Sequence, residues 1–90
     1  MKIVALCGAG IGTSAILKVN AERALERLDI DAEVTATDVA GIRAAAADAQ
    51  VILTSSELVP YIGQTNADVI VIDNYFDLDE LTEKLQAALG

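Results

Sequence analysis

The residues best suited to chemistry form one short segment, Cys-Gly-Ala-Gly-Ile-Gly-Thr-Ser at positions 7–14. Its three glycines stand at alternate positions, and we expect them to admit positive φ angles that turn successive backbone N–H groups toward an anion. A helix that begins directly after the glycines adds unpaired N–H groups and its positive dipole end. The segment is therefore predicted to bind a phosphoryl-sized anion, with hydroxyl hydrogen bonds from Thr13 and Ser14.

Cys7 is predicted to be the nucleophile of this segment. A thiol beside converging amides and a helix N-terminus should have a lowered pKa and persist partly as thiolate. It could then attack phosphorus without a general base, while the loop holds the phosphoryl oxygens during in-line transfer. The predicted site consists of Cys7 as catalytic residue and seven phosphate-binding residues, Gly8, Ala9, Gly10, Ile11, Gly12, Thr13 and Ser14.

The residues of the segment can be compared with three other kinds of loop. A Walker A loop ends in Gly-Lys-Ser/Thr, and here Thr13 follows the last glycine without a lysine, so that interpretation fails. A dinucleotide-binding fingerprint starting at Gly8 and Gly10 needs a third glycine at position 13, and the chain is short for two nucleotide-binding halves. In a purely structural interpretation, Cys7 is an inert buried residue that ends an apolar strand, and the glycines form a tight turn.

Composition excludes several classes of function. The chain has 90 residues, enough for one domain, and 14 acidic against 6 basic residues give a net charge of -8. Nucleic-acid binding is not expected, because a binder needs a basic surface to displace counterions from phosphates. With one Cys and no His, the chain lacks an internal disulfide and any mechanism that uses its own imidazole. No cofactor, metal site or membrane insertion is predicted, and single-Cys usage fits a reducing cytoplasm.

The elements that must position the segment follow from alternating apolar patterns. Apolar runs of strand length alternate with segments of helical length, which predicts a parallel sheet with crossover helices. The strands are predicted over 3–6, 32–37, 51–54 and 69–72. The helices are predicted from Thr13 to about Leu28, from a cap at Asp38 to about Ala49, from a cap at Ser55 or Ser56 through Tyr61, and from a capping-box-like start at Asp77 and Glu80. Pro60 and Gly63 should keep the third helix short.

The predicted fold class is a single three-layer α/β domain. Right-handed crossovers favour a four-stranded parallel sheet of order 2-1-3-4 with helices on both faces. Ligands of such sheets bind at the carboxyl ends of the strands, beside the switch in strand order. Residues 7–14 are therefore expected to lie at the site.

The segment resembles the phosphate loops of two known families that share a fold. In low-molecular-weight protein tyrosine phosphatases, the loop consists of Cys, five residues and Arg, and a later Asp-Pro pair supplies the general acid. Here Thr13 stands at the Arg position, and Val59 rather than Asp precedes Pro60. The IIB components of the sugar phosphotransferase system, in particular the ascorbate and galactitol branch, have Cys-Gly-x-Gly-x-Gly/Ala-Ser/Thr-Ser. Residues 7, 8, 10, 12, 13 and 14 fit that pattern, and the length and strand layout extend the likeness over nearly the whole chain.

The second resemblance implies that residues 1–90 are a IIB domain acting as a phosphocysteine relay. Cys7 would take a phosphoryl group from a histidine of the IIA component and pass it to an ascorbate- or galactitol-like sugar held by the membrane component IIC. The protein would then be a protein-phosphocysteine–sugar phosphotransferase in the cytoplasm, associated peripherally with the membrane through IIC. The alternatives are a Cys-dependent phosphatase or arsenate reductase, and a non-catalytic anion-binding module.

A few residues outside the segment bear on the site. Ser55 and Ser56 could border it but are interpreted as helix caps, and Lys18 is interpreted as facing solvent. Asp73 and Asn74 end the fourth strand and are expected farther from the switch point. The aromatic pair Tyr75-Phe76 is expected to cover the core.

Overall fold

The computed structural model of this protein describes residues 1–8 and 10–89, without the side chains of residues 10–14. Four parallel strands form its sheet: β1 (Lys2–Leu6), β2 (Glu33–Thr37), β3 (Val51–Thr54) and β4 (Asp68–Val71). Their order is β2-β1-β3-β4, which confirms the predicted order and the edge position of the second strand. β4 begins and ends one residue before its predicted bounds, although the Ile72 amide still donates to the Thr54 carbonyl at 2.7 Å.

The crossovers between these strands are helical. They contain α1 (Gly10–Leu28), α2 (Ile42–Ala46), and a 3-10 turn (Ser56–Leu58) that leads into α3 (Val59–Ile62). A last helix, α4 (Leu78–Leu89), follows β4. Gly63 follows α3 with φ 71°, so the chain leaves the helix through a conformation that glycine tolerates best, as the sequence suggested. No helix in the described part of the chain is long and apolar enough to cross a membrane.

The helices cover both faces of the sheet, which confirms the three-layer α/β architecture. Strand residues alternate between faces, so Ile3, Ala5 and Cys7 pack with α1 and α4, whereas Val4 and Leu6 pack with α2 and α3. An apolar stripe of α1, formed by Leu17, Ala21, Ala24 and Leu25, is buried on the first of these faces. Alternation along β1 therefore fixes the side of the sheet on which the thiol lies.

Two predicted helix starts differ from the structure, and a third agrees in position but lacks the expected capping bond. α1 begins at Gly10 rather than Thr13, because packing of its buried stripe outweighs the poor helix propensity of glycine. Asp38 does not cap α2: its Oδ1 accepts from the Gly41 amide at 2.9 Å and closes a turn, so α2 begins only at Ile42 and ends at Ala46. Ser55 occupies the N-cap position of the 3-10 turn, but its side chain makes no capping hydrogen bond.

Candidate functional site

The candidate site is a cleft of about 610 Å³ at the carboxyl ends of β1, β3 and β4. Its position agrees with the edge of the sheet that the topology predicts for a ligand. Three segments supply its walls, one after each strand. The lining residues are Cys7, Gly8, Ser55, Ser56, Glu57, Leu58, Ile72, Asp73, Asn74, Tyr75 and Phe76.

Cys7 lies at the floor of the cleft, directly after β1. Its amide donates to the Thr37 carbonyl at 3.1 Å, and its side chain belongs to the core cluster with only 4% exposure. Burial raises the pKa of the Cys7 thiol, and a hydrogen bond from Tyr75 offsets part of that rise. The expected lowered pKa is therefore wrong for this state, in which burial has the larger effect, although Cys7 does line the cleft.

Gly8 is required by a close approach rather than by a positive φ. A Cβ built on Gly8 would lie 2.8 Å from Cδ2 of Leu58, so a side chain would displace the 3-10 turn that forms the opposite wall. Its φ does not fall in the left-handed region. The expectation of positive φ is therefore wrong at this glycine, although the residue does line the cleft.

The rest of the predicted phosphate loop is described only in part. α1 begins at Gly10, three residues after Cys7, and the amides in the first turn of any helix lack intrahelical partners. Ala9 lies outside the described residues, as do the side-chain roles predicted for Ile11, Thr13 and Ser14. Their assignment to phosphate binding stays a prediction, as does that of Gly10 and Gly12.

The two serines after β3 line the cleft with Cys7. Their predicted role as helix caps is wrong for Ser55, whose hydroxyl forms no capping bond. A hydrogen bond from Ser55 instead lowers the pKa of Tyr75, against the larger effect of burial. Ser56 begins the 3-10 turn that separates the cleft from α3. Lys18 is half-buried and is not among the described residues that line the cleft.

Tyr75 is the functional candidate that sequence reasoning missed. Its ring packs against the core as expected, but its hydroxyl interacts with Cys7 and Ser55. Phe76 is 72% exposed and does not cover the core. Asp73 and Asn74, expected farther away, line the same cleft. The predicted strand order could have indicated this, because β4 lies next to β3, and the segments that follow neighbouring parallel strands meet at the same edge of the sheet.

The segment that carries Tyr75 is fastened by side chains from two helices. Asn20 of α1 donates to the Tyr75 carbonyl at 2.7 Å. From α4, the Glu80 carboxylate accepts the amides of Asp73 and Asn74 at 2.8 and 3.0 Å. The Lys84 ammonium bonds both to Glu80 and to the Val71 carbonyl, each at 2.6 Å. We call residues 72–76 the Tyr75 loop.

The predicted capping box at the start of α4 is half formed. Asp77 Oδ1 accepts from the Glu80 amide at 3.1 Å, as an N-cap residue does. The Glu80 side chain, which would return to Asp77 in a complete box, instead binds the Tyr75 loop. One residue thereby connects the helix start to the cleft wall.

Comparison with known proteins identifies the family. The family model described as PTS system, lactose/cellobiose specific IIB subunit, matches residues 2–87. The chain belongs to this IIB family. A similar relative is the ascorbate-specific PTS system EIIB component of Mycoplasma pneumoniae (strain ATCC 29342 / M129 / Subtype 1), which is 27% identical over 90 residues, covering 99% of this chain and 95% of the relative. IIB components act in phosphotransfer and work with IIA and IIC partners.

The cleft of this IIB protein is electrostatically unlike that of an enzyme built to capture free phosphate esters. Glu57 and Asp73 are its charged lining residues, and none of the described lining residues is basic. A free dianion entering the cleft would be repelled by both carboxylates. Positive potential for an anion in the cleft would then come from the main-chain amides at the start of α1.

Substitution Glu80→Gln in the IIB protein is expected to lower the free energy of unfolding by about 1 kcal/mol at neutral pH, since charged hydrogen bonds to the Tyr75 loop are lost. Burial alone would raise the pKa of Glu80, but Lys84 and the two loop amides overcome it and hold that pKa below its usual range. The stabilisation is therefore present above about pH 4.3, the usual pKa of Glu, and is lost as the pH falls through the depressed folded-state value.

Urea unfolding of wild type and Glu80→Gln over a series of pH values measures this difference. The two stabilities should converge in acid. Glu83→Gln on the same helix is the matched control, because Glu83 is exposed and should change stability little at any pH. A Glu80→Gln deficit that does not shrink in acid would contradict the assignment.

Proposed function

We propose that residues 1–90 form a IIB domain in which Cys7 carries a phosphoryl group between a histidine of the IIA component and a sugar held by the IIC component. The observation that carries the proposal is the position of Cys7. The sole cysteine lines an open cleft at the carboxyl end of β1, immediately before the N-terminus of α1, in a chain whose match to the IIB family covers residues 2–87. These 90 residues contain no histidine, so the donor imidazole must lie outside them.

The raised thiol pKa is compatible with the loading step. As the P–N bond of the IIA phosphohistidine breaks, an S–P bond forms at Cys7, and the thiol proton passes to the departing imidazole nitrogen. No thiolate is needed in the resting protein, because the leaving group takes the proton that the nucleophile loses. The amides at the start of α1 and the predicted phosphate-binding residues would hold the phosphoryl oxygens during transfer.

The unloading step returns the protein to its starting state. A sugar hydroxyl attacks phosphorus, the S–P bond breaks with its electron pair on sulfur, and the proton of the hydroxyl ends on Cys7. The raised pKa favours this return to the neutral thiol. The complete reaction is that of a protein-phosphocysteine–sugar phosphotransferase.

The sugar and the place of action are further parts of the proposal. The similar Mycoplasma pneumoniae protein is named ascorbate-specific, whereas the family model is described by lactose and cellobiose. Together with the residue pattern of the loop, the first name supports an ascorbate- or galactitol-like substrate. We place the protein in the cytoplasm, at the membrane surface through IIC.

Phosphorylation by a purified phospho-IIA component of an ascorbate- or galactitol-type system tests this proposal. Intact-protein mass spectrometry should show the gain of one phosphoryl group, and peptide mapping under neutral conditions should place it on Cys7. A phosphoryl group on another residue, or no gain with competent phospho-IIA of either type, would overturn the proposal.

Hydrolysis of p-nitrophenyl phosphate is expected to be negligible, which separates the relay from a phosphatase. The cleft lacks a described basic side chain, and Thr13 stands where the phosphatases have Arg. Of the two acids that line the cleft, Glu57 and Asp73, the second has an 85% exposed side chain and lies 3.8 Å from Lys84. The assay measures p-nitrophenol release by wild type and by Cys7→Ala. Rapid, Cys7-dependent turnover would favour the hydrolase instead.

A further inference from the structure

Tyr75 and Cys7 line the same cleft from two different segments of the chain. Cys7 ends β1, whereas Tyr75 lies on the Tyr75 loop after β4, and both side chains belong to the same apolar cluster. The loop is attached through the Tyr75 carbonyl to Asn20 and through neighbouring amides to Glu80. These attachments hold the Tyr75 backbone at the wall of the cleft that Cys7 also lines, which limits where the hydroxyl can lie.

The Ser55 hydroxyl extends this contact into a series of three groups. Ser55 donates to the Tyr75 oxygen, which lowers the pKa of Tyr75 against the larger effect of burial. Tyr75 in turn stabilises negative charge on the Cys7 sulfur. A hydroxyl that accepts one hydrogen bond becomes a better donor of the next, so Ser55 strengthens the interaction of Tyr75 with sulfur.

We propose that Tyr75, oriented by Ser55, stabilises the Cys7 thiolate that departs when the phosphoryl group leaves for its acceptor. This inference rests on the proposed phosphoryl transfer and adds a residue to it. As the S–P bond breaks, the electron pair stays on sulfur, and the Tyr75 O–H donates to it without giving up its proton. The proton that finally neutralises the sulfur is the one released by the acceptor hydroxyl.

Other charged groups around the cleft do not replace this donor. Glu57 and Asp73 line it, and as carboxylates they can only disfavour a thiolate; Glu57 also raises the pKa of Tyr75. Behind the loop, Glu80 and Lys84 are bonded to each other. Lys18 of α1 does not line the cleft. Among the described side chains, the Tyr75 hydroxyl is thus the donor that acts directly on the sulfur.

Alkylation of the unphosphorylated protein by iodoacetamide tests the inference without requiring any phosphoryl transfer. The rate as a function of pH gives the midpoint of thiol ionisation. Tyr75→Phe keeps the ring and removes the hydroxyl, so the midpoint should move to higher pH. Below the midpoint, we expect about a tenfold smaller thiolate fraction, partly offset by greater nucleophilicity, and therefore a rate about threefold lower.

The chain offers a matched control in its second tyrosine. Tyr61 is 60% exposed and does not line the cleft, so Tyr61→Phe should leave the alkylation profile unchanged. Ser55→Ala should move the midpoint in the same direction as Tyr75→Phe, but less. An unchanged midpoint in folded Tyr75→Phe overturns the inference, and if that variant does not fold, an unchanged midpoint in Ser55→Ala does so.

A second measurement connects the thiolate to transfer. Single-turnover release of the phosphoryl group from loaded Tyr75→Phe to its acceptor should be about tenfold slower than in wild type. An equal release rate overturns the catalytic role of Tyr75. Failure of the wild type to load would overturn the proposed carrier function instead, and the alkylation profiles would then still report the Tyr75–Cys7 interaction.

Discussion

Cys7→Ser is expected to accept no detectable phosphoryl group from phospho-IIA while keeping the fold. Serine preserves the shape of the residue at the end of β1, but its hydroxyl ionises far less readily than a thiol and is a weak nucleophile without an activating base. The cleft offers no histidine to activate it. Incubation with phospho-IIA followed by intact-protein mass spectrometry measures the loss.

Folding of this variant is checked by circular dichroism and thermal unfolding. Because Cys7 is only 4% exposed and lies against apolar side chains, replacing sulfur by a hydroxyl should cost about 1–2 kcal/mol of stability and leave the chain folded. Labelling of Cys7→Ser at the wild-type level would refute Cys7 as acceptor. Unchanged anion affinity in Cys7→Ala, together with no labelling of wild type, would favour a non-catalytic anion-binding module.

Leu85→Ala is expected to lower the free energy of unfolding by about 3 kcal/mol. Leu85 is fully buried between α4 and the sheet, and truncation loses both transfer free energy and packing contacts around the resulting cavity. Domains of this size are stable by roughly 5–15 kcal/mol, so the loss is a large part of the total. Urea unfolding followed by circular dichroism measures it.

The neighbouring substitution Gln86→Ala is the control for helix propensity. Gln86 is exposed on the same turn of α4, and alanine is a good helix former, so its stability should stay within about 0.5 kcal/mol of wild type. A Leu85→Ala stability equal to that of Gln86→Ala would contradict the packing of α4 against the sheet.

Strand positions and sheet order could be predicted from the sequence because they depend on strong, local patterns. The run Val51–Thr54 is buried throughout and apolar up to Leu53, and its predicted bounds agree with β3. Short helices were predicted less well. The Ala-rich stretch after Asp38 has high helix propensity but little to bury, and a side-chain bond to Gly41 diverts its start into a turn.

The part of the candidate site formed by residues adjacent in sequence could be predicted, but the contacts between residues distant in sequence could not. Cys7 and its glycines stand next to one another in the sequence, so their placement at a strand end follows from local pattern. The approach of Tyr75 depends on a hydrogen bond from Asn20 and on the Glu80 carboxylate, which accepts from the neighbouring amides; no spacing rule connects these residues to position 75. The direction of the Cys7 pKa likewise depends on burial by distant residues, which the loop pattern alone does not contain.

The burial of Cys7 also affects how readily its thiol is oxidised. Oxidation of cysteine to sulfenic acid follows thiolate character and exposure. Because Cys7 is nearly buried and burial raises its thiol pKa, we expect it to react slowly with peroxide.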